Sequence, residues 1–221
     1  MPDKVIQACL NRIVENGGDV MLHSPVDAIS EDGSGVSVLS GGHEHKFDVA
    51  VVAAGINSSE LCESYGVRLP QRVSPGVVVK TNSIPPILRS LSVLQVLNGA
   101  GQIEQIHVRQ DAEGVVMIGT GSQEHETTDD SPEHANSLIE EAARYIKGLK
   151  NVAPVIVPVG FRPMPIDELP IIGFTPKTPN IYVLLMHSGV TLAPLVGELA
   201  SMEITGNIEV ECLAKYRPTR F

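Results

Sequence analysis

The chain contains no tryptophan, four phenylalanines, four tyrosines and three cysteines in 221 residues. Cys9, Cys62 and Cys212 stand far apart and form no CxxC pair, which argues against a zinc site or a redox dithiol. No apolar run is long enough to span a bilayer. Met1-Pro2-Asp3-Lys4 lacks the basic-then-apolar pattern of a secretory signal. These absences lead to the expectation of a soluble cytoplasmic protein with reduced thiols. Positive charge is also scarce: 16 Lys and Arg face 26 Asp and Glu, a formal net charge of -10. No basic stripe exists to neutralise phosphate, so neither nucleic acid nor an anionic membrane is an expected partner. There is no GxSxG, P-loop or HExxH motif. Gly33-Ser34-Gly35, Gly99-Ala100-Gly101 and Gly119-Thr120-Gly121 each lack the third glycine and preceding strand of a dinucleotide turn. The seven histidines show no ligand spacing, and His43 and His45 read as solvated turn residues, so no metal is expected.

What is present is a globular composition, with 43% hydrophobic residues and enough length for one large or two small domains. Val5, Ile6, Cys9, Leu10, Ile13 and Val14 fall at helical spacing, with Asp3 as a cap and Gly17-Gly18 as a stop. Residues 19–23 read as a strand. Residues 26–30 and 35–40 alternate around Glu31-Asp32-Gly33-Ser34, a hairpin signal, and Gly41-Gly42 makes a second turn. Residues 47–54 form a near-continuous apolar run, read as a strand buried on both faces, followed by a helix over 58–65. Strands are then expected over 77–80, 103–109, 115–120 and 152–161. Ser131-Pro132-Glu133 combines a cap, a first-turn proline and a first-turn acid, so a helix starts there. A strand over 181–185 and a helix over 190–204 close the chain.

Three places could carry chemistry. In Ser188-Gly189-Val190-Thr191-Leu192-Ala193-Pro194 an apolar strand runs into a glycine turn and a helix start. Such a start offers free N–H groups and the positive end of a dipole, suited to a group that gains negative charge. An ordinary strand–turn–helix connection would read the same. Arg162, held by Pro163 and Pro165, suits bidentate capture of a carboxylate, or alternatively a surface pair with Asp167 or Glu168. Ala53-Ala54-Gly55 after an apolar strand permits close backbone approach by a nucleotide, or is simply a tight turn. His187, at the strand end, either touches a bound ring or fills space.

Taken in order, these segments resemble the D-amino-acid-oxidase-like (DAO) family of FAD-dependent oxidoreductases, which includes glycine and sarcosine oxidases. The residues that carry the resemblance are Val26, Val51-Val52-Ala53-Ala54-Gly55, Arg162-Pro163, Asp167 to Gly173, His187 to Pro194 and Tyr216 to Phe221. The resemblance implies an α/β (α+β) fold, in which a partial Rossmann-like FAD-binding domain carries an inserted antiparallel or mixed β-sheet substrate domain. The expected segments are 1–70 and 161–221 for the FAD-binding domain and 71–160 for the substrate domain. It further implies FAD as cofactor, with Val26 on the adenine side, Ala54 and Gly55 near the dinucleotide, and His187, Ser188, Gly189, Val190, Thr191 and Leu192 at the flavin. Arg162 would bind a substrate carboxylate, and a D-amino acid, glycine or a sarcosine-like amine would be oxidised by hydride transfer. The family's opening GxGxxG unit has no counterpart here. The expectation is therefore a truncated chain or part of a larger enzyme, completed by a separate N-terminal polypeptide or by self-association. Against it stand a non-catalytic remnant or partner-binding module without FAD, and an unrelated α/β binding module.

Overall fold

The structure, a computed structural model, describes residues 2–31, 33, 35–64, 66–90, 92–97, 101, 103–120 and 128–221. The sequence readings at Asp32, Ser34, Tyr65, Gly99, Ala100 and Gly121 lie outside them. The chain divides into two compact units: Met1–Arg72 with Pro163–Phe221, and Val73–Arg162.

The first unit opens with α1 (Pro2–Glu15), whose Asp3 lies in the first turn rather than at the cap. None of its residues is buried, and the apolar stripe legible in the sequence, including Val5, Ile6, Ile13 and Val14, faces solvent. Residues 19–23 form no strand: Met21 and Leu22 are exposed, and the backbone turns through His23 at φ +57°. A strand needs a neighbour, and among the described residues none is placed beside this run. Three antiparallel strands follow, β1 (Val26–Glu31), β2 (Val36–Ser40) and β3 (His43–Phe47), in that spatial order.

The apolar run over 47–54 is not one strand. Asp48 and Val49 separate Phe47, which ends β3, from β4 (Ala50–Val52), and the two strands belong to different sheets. Nor is β4 buried on both faces; it lies at a sheet edge with Val51 45% exposed. After it come α2 (Ser58–Glu63) and β5 (Gln71–Arg72).

The chain leaves this unit through β6 (Pro75–Gly76) and builds the second. There β7 (Val78–Ser83), β8 (Ser92–Leu97), β9 (Ile103–Gln110) and β10 (Val115–Thr120) join β11 (Pro154–Ile156) in the order β11-β7-β10-β9-β8. Every pairing is antiparallel. Helix α3 (Pro132–Ala143) begins as its sequence dictates, with the Ser131 hydroxyl accepting from the His134 N–H. Its buried side, Ala135, Leu138, Ile139 and Ala142, packs on Val79, Ile106, Val108, Val116 and Ile118 from one face of the sheet. Residues 152–161 are again two strands, since β12 (Gly160–Phe161) pairs with β6 rather than extending β11.

Back in the first unit, β13 (Met164–Pro165) pairs with β5, and β14 (Ile171–Phe174) pairs antiparallel with β15 (Ile181–Leu185). On its other side β15 pairs parallel with β4, so it is flanked on both edges. Its apolar run is explained by two cores. Ile181, Val183 and Leu185 enter one with Ile29, Val36, Val52 and Ile171; Tyr182 and Met186 enter another with Ile172, Val196 and Leu213. Helix α4 (Gly189–Gly206) covers the second.

Burial pushes the Cys62 thiol up to about 11, and Cys62 is inaccessible, whereas Cys9 and Cys212 are exposed. Thiolate reactivity requires access and ionisation. A colorimetric thiol assay on native protein is therefore expected to titrate two groups rapidly and the third only after unfolding. Three fast thiols would mean that the α2 region opens readily.

Candidate functional site

The parallel pair positions the candidate cofactor residues. Ala50, Val51 and Val52 of β4 lie opposite Ile181, Tyr182 and Val183 of β15. Because the strands are parallel, the turn after β4 and the turn after β15 emerge at the same, carboxyl end of the sheet. Open α/β sheets bind ligands outside the carboxyl ends of their strands. The first turn carries Ala54 and Gly55, and the second His187 to Leu192.

Local chemistry suits both turns to backbone contact. Ala54 is exposed, and Gly55 has φ +60°, where a side chain is disfavoured. A Cβ built at Gly55 would meet nothing within 4 Å, so the space over the turn is open. In the second turn Ser188 adopts a left-handed conformation, φ 60° and ψ 27°, and is the residue from which α4 starts. Its carbonyl accepts from the Thr191 and Leu192 N–H groups at 2.9 and 3.0 Å. Among the described residues the N–H groups of Gly189 and Val190 have no partner, and Val190 is exposed. These free donors at a helix start, with the dipole behind them, are the polar groups an electron-rich ring edge needs. The Ser188 hydroxyl and His187 Nδ1 lie 2.8 Å apart, which fixes the imidazole beside the helix start. Val26 is apart from these turns in the hairpin sheet, at the exposed start of β1 and opposite Ser40. Glu31, at the other end of β1, accepts from the Asn180 N–H just before β15.

Arg162 belongs to the second unit. Its N–H donates to the Ser74 carbonyl at 2.8 Å, and its Nη1 donates to the Pro75 carbonyl. The guanidinium lies flat over Gly76, where a Cβ would come within 2.9 Å of Nη2. Any larger residue at Gly76 would displace it. The pairing with Asp167 or Glu168 left open by the sequence does not form. Asp167 takes Arg220, with Nε 2.6 Å from the carboxylate, and Glu168 takes Arg72 at 2.8 Å. Arg162 thus has no carboxylate partner among the described residues and is half-buried, with its direction fixed by backbone.

One group of buried charges escaped the sequence reading. Glu203 of α4, 6% exposed, accepts from the Tyr182 hydroxyl at 2.6 Å, from the Val210 N–H at 2.8 Å, and from both terminal nitrogens of Arg217 at 2.8 and 2.5 Å. Burial raises the Glu203 carboxyl, but hydrogen bonds from Arg217, Tyr182 and Val210 outweigh it and hold it below the usual carboxylate range. Burial first, and the Glu203 carboxylate second, push the Tyr182 phenol up. A Glu in a mainly apolar helix was the available signal, but its partner lies 14 residues on, beyond helical spacing.

Residues 1–202 match the DAO family of FAD dependent oxidoreductases. The chain belongs to the DAO family. An opine oxidase subunit from Agrobacterium tumefaciens (strain Ach5) is 30% identical over 173 residues, which are 77% of this chain and 43% of that protein. The HcnC component of hydrogen cyanide synthase from Pseudomonas protegens, likewise a subunit, is 27% identical over 183 residues, 78% of this chain and 40% of that one. The DAO-family chain therefore spans less than half the length of these curated relatives. Glycine oxidase from Geobacillus kaustophilus has the same fold, with a TM-score of 0.75 at 22% identity, covering 94% of this chain and 55% of that one. The α/β architecture with partial coverage agrees with the fold class expected from sequence. Among the described residues there is no cluster of three or more His, Cys, Asp or Glu arranged for a metal, and no helix long and apolar enough to cross a membrane.

Proposed function

We propose that this DAO-family chain forms the flavin-facing and substrate-facing part of an FAD-dependent enzyme that oxidises an amine or amino acid. The single observation that carries the reading is the emergence of two open turns, the second with free N–H donors, at one end of the β4–β15 parallel pair. In this reading Gly189 to Leu192 hold the flavin through backbone N–H groups, with His187 and Ser188 beside it. Ala54 and Gly55 admit the dinucleotide, and Val26 meets its adenine side. The unit formed by 1–72 and 163–221 is the FAD-binding domain, and 73–162 is the substrate domain.

Bound FAD would supply a hydride acceptor for the carbon bearing the amine. Arg162 would hold a substrate carboxylate in a bidentate pair and so fix which carbon is presented. The resulting imine then hydrolyses in water. The names of the two curated relatives, both subunits, and their greater length support a working enzyme in which further polypeptide completes the FAD site. A non-catalytic, partner-binding role is the second reading, favoured by the open edge of β4.

Titrating FAD into the purified 221-residue protein and recording its visible absorbance tests the proposal. A perturbed, saturable flavin spectrum is expected, with affinity lost in Gly55→Val. No uptake, either alone or with a polypeptide supplying a GxGxxG unit, would sink the enzymatic reading and leave the second.

A further inference from the structure

Past the end of α3 the chain reverses. A 3₁₀ turn over Lys147–Leu149 packs tightly on Ile87, and Gly148 permits it, since a Cβ there would collide with the Ile87 side chain. Asn151 then takes φ +63°, a left-handed conformation that asparagine tolerates, and β11 returns along the helix. At one end of this cleft Leu149 to Pro154 face Ile139 and Ala143; at the other Ile156 and Val157 face His134 and Leu138. Between the walls at the first end lies a cavity of about 650 Å³, the size of a ligand pocket, whose apolar lining includes Ile139, Ala143, Leu149 and Val152.

The strand beside this cavity is an edge. β11 pairs with β7 on one side, and among the described residues no strand pairs with its other side. Val155 and Ile156 are 41% and 46% exposed, so the edge is apolar as well as open. Such an edge is a template for another strand, and a cavity next to it receives that strand's alternate side chains. Charge is uneven along the cleft. Arg144, Lys147 and Lys150 cluster where β11 begins, all three exposed, and Arg144 and Lys150 line the cavity. Among the described residues none of them has an ion-pair partner, whereas Arg72, Arg217 and Arg220 each hold a carboxylate. The acidic residue of the lining, Glu140, lies one helical turn back toward the start of α3. In a chain of net charge -10 this end of the cleft is a basic island, complementary to acidic side chains.

We infer that the cleft between α3 and β11 docks an extended segment of another polypeptide as a further strand of this sheet. Its apolar side chains enter the cavity, and acidic residues at its carboxyl-terminal end meet Arg144 and Lys150. Direction follows from the sheet, in which every pairing is antiparallel: an antiparallel newcomer ends where β11 begins, at the basic end, and its uncharged half passes Glu140. Main-chain hydrogen bonds to the edge supply affinity, and the cavity and the cations supply selectivity. The site lies within the Val73–Arg162 unit and stands independently of the flavin reading.

Three capped peptides test this: acetyl-TVTVEE-amide, its neutral counterpart acetyl-TVTVQQ-amide, and the reversed acetyl-EEVTVT-amide. Each is titrated into the 221-residue protein, and backbone amide shifts of Ala143, Val152, Val155 and Ile156 are followed by NMR. The TVTVEE peptide is expected to bind about fivefold more tightly than TVTVQQ, the worth of exposed charge pairs. That gap should close in Arg144→Gln, in Lys150→Gln and in molar salt, and the reversed peptide should lack it. Dispersion of the amide spectrum reports that each variant is folded. N-methylation of the two central residues, one at a time, should abolish binding at one and spare it at the other, the two-residue period of a hydrogen-bonded ladder. Equal binding of TVTVEE and TVTVQQ would overturn the acidic occupant. Tolerance of both N-methylations would overturn strand addition, and no saturable shift at these amides with any peptide would overturn the cleft as a docking site.

Discussion

Replacing Arg217 with alanine is expected to destabilise the protein by about 3–5 kcal/mol, because it leaves the Glu203 carboxylate buried without its cation. Glu203 has a side chain 4% exposed, and Arg217 is 19% exposed, so neither is screened as a surface pair would be. The network joins three segments, with Tyr182 on β15, Glu203 on α4 and Arg217 beyond α4, so its loss loosens the helix whose start carries Gly189. The sign of the pH dependence follows from the direction of the shift. A carboxyl held below its unfolded value contributes stability that is complete above that value and is lost as pH falls through the folded one. Wild-type stability should thus decline on acidification through and below the ordinary carboxylate range. In Arg217→Ala the balance reverses: with its main donors gone, burial dominates and raises the carboxyl, so acidification should recover stability instead. Denaturant unfolding at two or three pH values measures both effects. A loss under about 1 kcal/mol with an unchanged acid limb would mean that Glu203 is hydrated rather than buried.

Arg162→Ala is expected to weaken binding of carboxylate-bearing amines by about 2–4 kcal/mol, the worth of a bidentate charge-assisted contact. The fold should tolerate the change, since Arg162 pairs with no carboxylate among the described residues and the strand hydrogen bond to Ser74 uses its main chain. Arg162→Lys should restore only part of the binding, because an ammonium cannot reproduce the planar fork. In flavin-loaded, active protein the loss should fall mainly on KM for amino acids and spare amines without a carboxylate. Unchanged kinetics with an amino-acid substrate would remove Arg162 from the site. Gly76→Leu makes the same point from the other side, since its side chain would occupy the space in which the guanidinium lies.

Local signals carried much of this protein. The Ser131 cap, the strand at 181–185 and the helix after Gly189 are set by neighbouring residues: a hydroxyl reaching the N–H three residues on, an unbroken apolar run, a glycine turn. Motif order further identified the family, because DAO-like features recur in sequence along nearly the whole chain. The failures share one cause, that an apolar run does not name its neighbour. Residues 19–23 were apolar enough for a strand but pair with no strand among the described residues. Residues 47–54 look continuous, yet Asp48 and Val49 divide them between two sheets. The sequence pattern marked β15 as an apolar strand, but only packing showed that its alternate residues serve two separate cores.

The same division applies to the candidate sites. Glycine turns, the rigid Arg162-Pro163 step and a helix start are local, and the sequence by itself determined them along with the family. Tertiary structure decided that the Ala54–Gly55 and His187–Leu192 turns share one end of a parallel pair, since strand direction is a long-range choice between residues far apart in the chain. It also decided that Asp167 and Glu168 go to Arg220 and Arg72 and leave Arg162 free of both. Ion pairing depends on which side chains meet in space, and charge order along the chain does not specify that.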